Sequence, residues 1–190
     1  MANFRVVVLA SGTGTLFAAL ANQAEQIGIQ IVGLISEAEV PACERARELG
    51  IPVTVVPLLE DRIKWDQNLA TEISRLKPSL IVSAGFMKIL GPVVLRFHQG
   101  KIINTHPALL PAFPGAHAVR DALAAGVSQT GATIHFVDKG VDTGEVIGQV
   151  KVKVEPGDTE ASLHERIKQA ERELLVATVS DIANGKVTLK

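Results

Sequence analysis

FRVVVLASGTGTLFAALANQAEQIGIQIVGLI, residues Phe4–Ile35, decides the fold. An apolar β-branched run breaks at a pair of glycines, continues with apolar residues at helical spacing, and returns to a second apolar run. Strand runs joined by a helix-length segment build βαβ units with right-handed crossovers and a parallel sheet. The rhythm repeats, with PACERARELG as helix, VTVVPL as strand, DRIKWDQNLATEISRL as helix and SLIVSAG as strand. A helix over MKILGPVVLRF, a KIINTH strand and a helix around HAVRDALAAG follow. ATIHFV and EVIGQVKVKV are close enough to pair antiparallel at one edge. After the EPGD break, TEASLHERIKQAERELLVATVSDIANG reads as one long closing helix, with Thr159 as its cap and Gly185 near its stop. The expected fold class is therefore α/β: a mostly parallel central sheet with helices on both faces and an antiparallel edge near the carboxyl terminus.

Composition agrees with this. The 190 residues are 47% hydrophobic but only 4% aromatic, so Val, Ile, Leu and Ala must build the core. That length suits one domain, residues 1–190. A net charge of -1 argues against a broad nucleic-acid surface and leaves room for a local phosphate pocket. Cys43 is alone, which excludes a disulfide framework, and reads as a small residue beside the core. No leader pattern and no apolar run approaching ~18 residues stand out, so a cytoplasmic protein without a membrane span is expected.

Within the opening stretch, the glycines of ASGTGTLFAAL follow a strand and open a helix, which lets backbone N–H groups face an anion. Phe17 occupies the place of the third glycine of a dinucleotide fingerprint, and its presence favours a single phosphate over NAD. A tight turn without a ligand is the simpler alternative. Glu37, at the end of the second strand, keeps a dinucleotide-binding module in view.

Polar chemistry concentrates in IINTHPALLPAFPG, residues Ile102–Gly115, where Asn104 and His106 leave an apolar strand on alternate residues and enter a loop rich in proline. Ligands of open α/β sheets bind outside the carboxyl ends of the strands, so an amide and an imidazole there point to a working site. They can also serve loop backbone groups alone. VDKGVDTGEV, residues Val137–Val146, supplies Asp138 and Asp142 after another strand. Asp138 reads as a turn former, whereas an Asp that meets a His across strand ends fixes the imidazole tautomer and raises its pKa.

NTHPALLPAFPG, GATIHFVDKGVDTG and VVLASGTG together resemble the folate-dependent phosphoribosylglycinamide formyltransferases of purine synthesis, from about Phe4 to the last helix near Ala183. The resemblance implies a catalytic trio of Asn104, His106 and Asp142. It implies ribotide contacts from Gly12, Gly14, Thr15, Leu16, Lys168 and Glu171, although Lys168 and Glu171 also read as a plain surface ion pair. It further implies a folate site formed by Met87, Lys88, Ile89 and Leu90 with Asn104, covered by the loop Lys139, Gly140, Val141, Asp142, Thr143, Gly144. Arg62 would lie near the folate tail, or serve only as a solvated helix charge. On this resemblance residues 1–100 form the mononucleotide-binding half and residues 101–190 the folate-binding and catalytic half. Thr15-Leu16 departs from the family's Ser-Asn, and Lys88 stands where Arg is common and is expected to point to solvent.

The implied reaction moves the formyl group of 10-formyltetrahydrofolate, a co-substrate, to the amine of glycinamide ribotide without metal or NAD. The partners are small molecules, with no nucleic acid and no membrane, and a homodimer is possible. Hydrolysis of 10-formyltetrahydrofolate by the same trio is the enzymatic alternative, but those hydrolases carry a further amino-terminal domain for which this chain has no room. Among the other histidines, His98 and His164 are expected at the surface, His117 capping or bordering the site, and His135 supporting the trio; no metal site is expected. The crowded PALLPAFPG turn, with the resemblance, predicts a cis Leu110-Pro111 bond. A side chain added at Gly14 is expected to intrude on the anion and spare the folate site.

Overall fold

The structure is a computed structural model and describes residues 4–190. Six helices flank a seven-stranded sheet of order β3-β2-β1-β4-β5-β6-β7. The strands are β1 (Phe4–Leu9), β2 (Ile29–Ser36), β3 (Val53–Val55), β4 (Leu80–Ser83), β5 (Ile102–His106), β6 (Gln129–Phe136) and β7 (Val146–Lys153). The helices are α1 (Thr15–Gln23), α2 (Pro41–Glu48), α3 (Arg62–Arg75), α4 (Pro92–Phe97), α5 (Ala118–Ala124) and α6 (Glu160–Ala183). β1 to β5 pair in parallel; β6 pairs antiparallel with both β5 and β7. This is the expected α/β architecture, with an antiparallel section that begins one strand deeper than an edge.

Side-chain alternation on the central strands explains the layers. Val6 and Val8 face a cluster with α1, α2 and α6, whereas Val7 and Leu9 face one with α3 and α4. All four are fully buried, so β1 has no polar face to alternate. The sequence order reverses on either side of β1, since β2 lies to one side and β4 to the other. That reversal opens a crevice beyond the carboxyl ends of β1 and β4.

The helix boundaries follow local chemistry. Asp61 caps α3 by accepting from the Ile63 and Lys64 amides, and Trp65 within it donates to the Val56 carbonyl at 3.0 Å. Thr159 caps α6 as expected, in a reciprocal pair with Ser162, and Gly185 follows its end. Pro92 rather than Met87 begins α4. Met87–Leu90 are consequently loop, because the buried carboxylate of Asp66 accepts from the Gly91 and Val93 amides and fixes the helix start there. His98 corrects an expectation: it is buried, with Nε2 3.3 Å from the Ser74 hydroxyl, and this burial pushes its pKa down. Cys43 is buried as expected, and Leu110-Pro111 is cis. Among the described residues, no helix is long and apolar enough to cross a membrane.

Candidate active site

Beyond the ends of β1, β4 and β5 lies a cavity of about 500 Å³. Alternation on β5 sends Asn104 and His106 to one side and Thr105 to the other, with Asn104 opposite His135 and His106 opposite Thr133 in the β6 register. The trio expected from sequence meets here. His106 Nδ1 is 3.3 Å from Asp142 Oδ2, while its Nε2 donates to the Phe113 carbonyl at 2.8 Å. A carbonyl only accepts, so this contact assigns a proton to Nε2. Asp142 Oδ2 also accepts from the Gly115 amide at 2.8 Å.

Asp142 and Phe113 both hold left-handed backbones, with φ of 55 and 54. Such a conformation is uncommon for Asp and more costly for Phe, so the contacts on each must hold it in place. The Asp142 carboxyl lies below the usual carboxylate range. Its hydrogen bond with His135 is the main cause, opposed by burial and aided by the Gly115 amide and the charge of His106.

His135 supports the trio directly, as expected. Its Nδ1 donates to the Phe136 carbonyl at 2.8 Å, and its Nε2 lies 3.3 Å from Asn104 Nδ2 and 3.4 Å from Asp142 Oδ1. Nε2 can donate to the Asp142 carboxylate or accept from an Asn104 N–H, but not both at once, and Asn104 itself lines the cavity. Asp138 is the turn former expected, accepting from the Gly140 amide and the Thr143 hydroxyl.

Gly12, Gly14, Thr15 and Leu16 line the same cavity. Gly14 is left-handed (φ 72) at the α1 N-cap, and a Cβ built on it would stand 2.7 Å from the Ala42 Cβ. Its glycine is thus required by packing against α2, which corrects the expectation that a side chain there would meet only the anion. A Cβ on Gly12 would meet nothing within 4 Å.

Lys168 and Glu171 line the cavity from α6. They do not form a surface pair: Lys168 lies 3.9 Å from Glu165, and Glu171 is buried. Burial pushes the Glu171 carboxyl up, against the pull of the nearby Thr105 hydroxyl and the charges of Lys168 and Arg172. That Thr105 hydroxyl is buried without a hydrogen-bond geometry to any described residue.

On the third side, Met87, Lys88, Ile89 and Leu90 line the cavity, with Gly140, Val141 and Asp142 across from them. Lys88 corrects another expectation, since its Nζ lies 3.3 Å from Glu37 Oε1 and its side chain is only 30% exposed. Glu37 spends its other oxygen on the Ser11 hydroxyl at 2.8 Å, so the acid that kept a dinucleotide role in view is already engaged. Arg62, Lys139, Thr143 and Gly144 stand off the cavity wall. Arg62 stacks 4.3 Å above the Trp65 ring and donates to the Ile89 carbonyl. A Cβ on Gly144 would collide with the Phe136 carbonyl, so that residue shapes the loop.

His117 occupies the N-cap position of α5 without a side-chain cap bond. His164, expected at the surface, is half-buried and lines the cavity, one turn before Lys168. The spacing of residues 164, 168 and 171 on one helical face carried the signal for it. Nothing in the sequence marked the Phe113 carbonyl or the Gly115 amide, which act through backbone atoms. Among the described residues, no three or more His, Cys, Asp and Glu side chains gather as a metal site.

An amide, an imidazole and a carboxylate that line one cavity with a glycine loop at a helix start form a set able to serve acyl-group transfer. The formyl transferase family model matches residues 4–179. The phosphoribosylglycinamide formyltransferase of Mycobacterium tuberculosis (strain CDC 1551 / Oshkosh) is 49% identical over 97% of this chain and 87% of its own. Glycinamide ribonucleotide transformylase 1 from Symbiobacterium toebii superposes with a TM-score of 0.95 at 34% identity, covering 99% of this chain and 91% of that one. Phosphoribosylglycinamide formyltransferase from Streptococcus pneumoniae TIGR4 gives 0.88 at 38%, covering 94% and 98%. The chain belongs to the phosphoribosylglycinamide formyltransferases of the formyl transferase family.

Proposed function

We propose that the chain transfers the formyl group of 10-formyltetrahydrofolate to the primary amine of glycinamide ribotide, in the purine route to IMP. The observation that carries this reading is that Asn104, His106 and Asp142 line one cavity together with the Gly12–Leu16 loop, with His106 and Asp142 3.3 Å apart. The ribotide phosphate sits on that loop at the α1 N-terminus. Glu171 and Lys168 face its ribose and amine, and the folate packs between Met87–Leu90 and the Lys139–Gly144 loop, with Arg62 toward its tail.

The amine attacks the formyl carbon, and the carbonyl oxygen becomes an oxyanion. An N–H of the Asn104 amide donates to that oxygen. His106, held through Nδ1 by Asp142 at 3.3 Å and through Nε2 by the Phe113 carbonyl at 2.8 Å, is the second donor, and one of these two contacts gives way as substrate enters. One preorganised oxyanion donor is worth ~3 kcal/mol, so two supply a large share of the acceleration. A proton then moves from the attacking nitrogen to the departing folate nitrogen, which His106 or a water held by Asp142 relays. The tetrahedral intermediate collapses directly, with no covalent enzyme adduct.

The test is incubation with 10-formyltetrahydrofolate, with and without glycinamide ribotide, following folate release and formylated product separately. Release that requires the ribotide and matches product supports transfer. Release independent of it supports hydrolysis instead.

A further inference from the structure

Ser11 lies at the start of the Gly12–Leu16 loop, and its hydroxyl works in two directions. It donates to Glu37 Oε2 at 2.8 Å and accepts from the Met87 amide at 2.9 Å. Glu37 Oε1 pairs with Lys88 Nζ at 3.3 Å, and the Glu37 side chain is only 11% exposed. One carboxylate at the end of β2 thus fastens a loop after β1 to a loop after β4. Both loops line the cavity. The second loop is also held from α3 by Arg62 on the Ile89 carbonyl and Asp66 on the Gly91 amide. Toward the anion side it is tied by the Ser11 amide on the Gly85 carbonyl at 3.2 Å, by the Ser11 hydroxyl on the Met87 amide, and by Glu37, which holds that hydroxyl and Lys88 together.

We propose that Glu37 is a positioning residue that sets the anion loop and the Met87–Leu90 loop as one unit, so that donor and acceptor are presented at a fixed separation. The assignment rests on the ribotide and folate reading above for what occupies each side, but the mechanical link does not. A preorganised link of this kind lowers the ordering cost of each ligand, so its loss falls on KM more than on kcat.

The experiment compares Glu37→Ala, Glu37→Gln and a control, Glu39→Gln, whose carboxylate pairs with Arg47 at the surface. Amide exchange at Met87, measured without ligand, is read beside steady-state kinetics. In Glu37→Ala the Met87 amide should exchange faster, and KM for both substrates should rise roughly fivefold to tenfold, with kcat within about twofold. Glu37→Gln keeps an acceptor for Ser11 and should recover most of both effects, while Glu39→Gln should match wild type. Unchanged Met87 exchange and unchanged KM values in Glu37→Ala would overturn the proposal, as would a lowered Tm with no change in KM. If the wild type forms no formylated ribotide, the reading of the substrates fails; Met87 exchange still decides the link.

Discussion

Asn104 and His135 face each other in the register of β5 and β6, and the amide nitrogen stands 3.3 Å from the ring Nε2. The cross-strand pair orients the amide before any substrate arrives. His135→Phe keeps the bulk and removes the partner, so Asn104 regains rotational freedom. kcat should fall roughly tenfold with folate-analogue affinity nearly intact, and circular dichroism should show a folded protein. Loss of affinity equal to the loss of kcat would make His135 a packing residue.

Asp142→Asn keeps the shape and removes the anion beside His106. Turnover should fall roughly 10²- to 10⁴-fold. His106→Asn should be comparably severe, and the double variant should be barely worse than either, because groups acting as a unit are not additive. Calorimetry with a folate analogue should show retained binding in all three.

The same carboxylate carries a pH signature. Its folded pKa lies below the usual value, chiefly through His135, so ionised Asp142 contributes stability that is fully present above the unfolded value of 3.8 and is lost as pH falls through the folded one. The Tm gap between wild type and Asp142→Asn should therefore be widest near neutrality and close in strongly acidic buffer. A gap that widens with acid would reverse the assignment.

Glu171 has the opposite sign. Burial raises its pKa above 4.5, so the folded state binds the proton more tightly and the ionised form costs stability as pH rises through the folded value. Glu171→Gln should melt higher than wild type at pH 8, with the advantage vanishing below the ordinary carboxylate value of 4.5. KM for the ribotide should rise in the same variant.

Gly12 and Gly14 should part company. Gly12→Ala has open space for its Cβ, so Tm should hold while the ribotide KM rises roughly tenfold or more and folate-analogue affinity stays. Gly14→Val meets Ala42 and needs a left-handed backbone, so it should lower Tm and weaken both ligands together.

Asp66→Ala orphans amides at the start of α4. It should cost about 2–4 kcal/mol, a Tm drop on the order of 4–16 °C by differential scanning calorimetry.

Much of this architecture was legible in the chain. Val6 to Leu9 carry no polar alternation, and that alone signals a strand buried on both faces. Asn104 and His106 stood out because polar side chains leave an apolar strand together, Asp142 joined them through the family resemblance, and His135 was marked because it alternates with Thr133. Met87–Leu90 were misread as helix, since the feature that delays α4 is a carboxylate 25 residues earlier in sequence. His98 and Lys88 were placed outside for a similar reason: their partners, Ser74 and Glu37, come from other elements. Backbone contributors left no trace at all, because a carbonyl or an amide belongs to every residue.

The Gly115 amide and His106 Nδ1 both meet Asp142 Oδ2, and so interlock the end of β5 and its loop with the loop after β6. Transplanting either segment alone into a relative would strand a carboxylate or an imidazole without its mate. A working chimaera would have to exchange the two as a cassette, with β6 between them, which makes this pair of loops the smallest unit by which the chemistry can be inherited or borrowed.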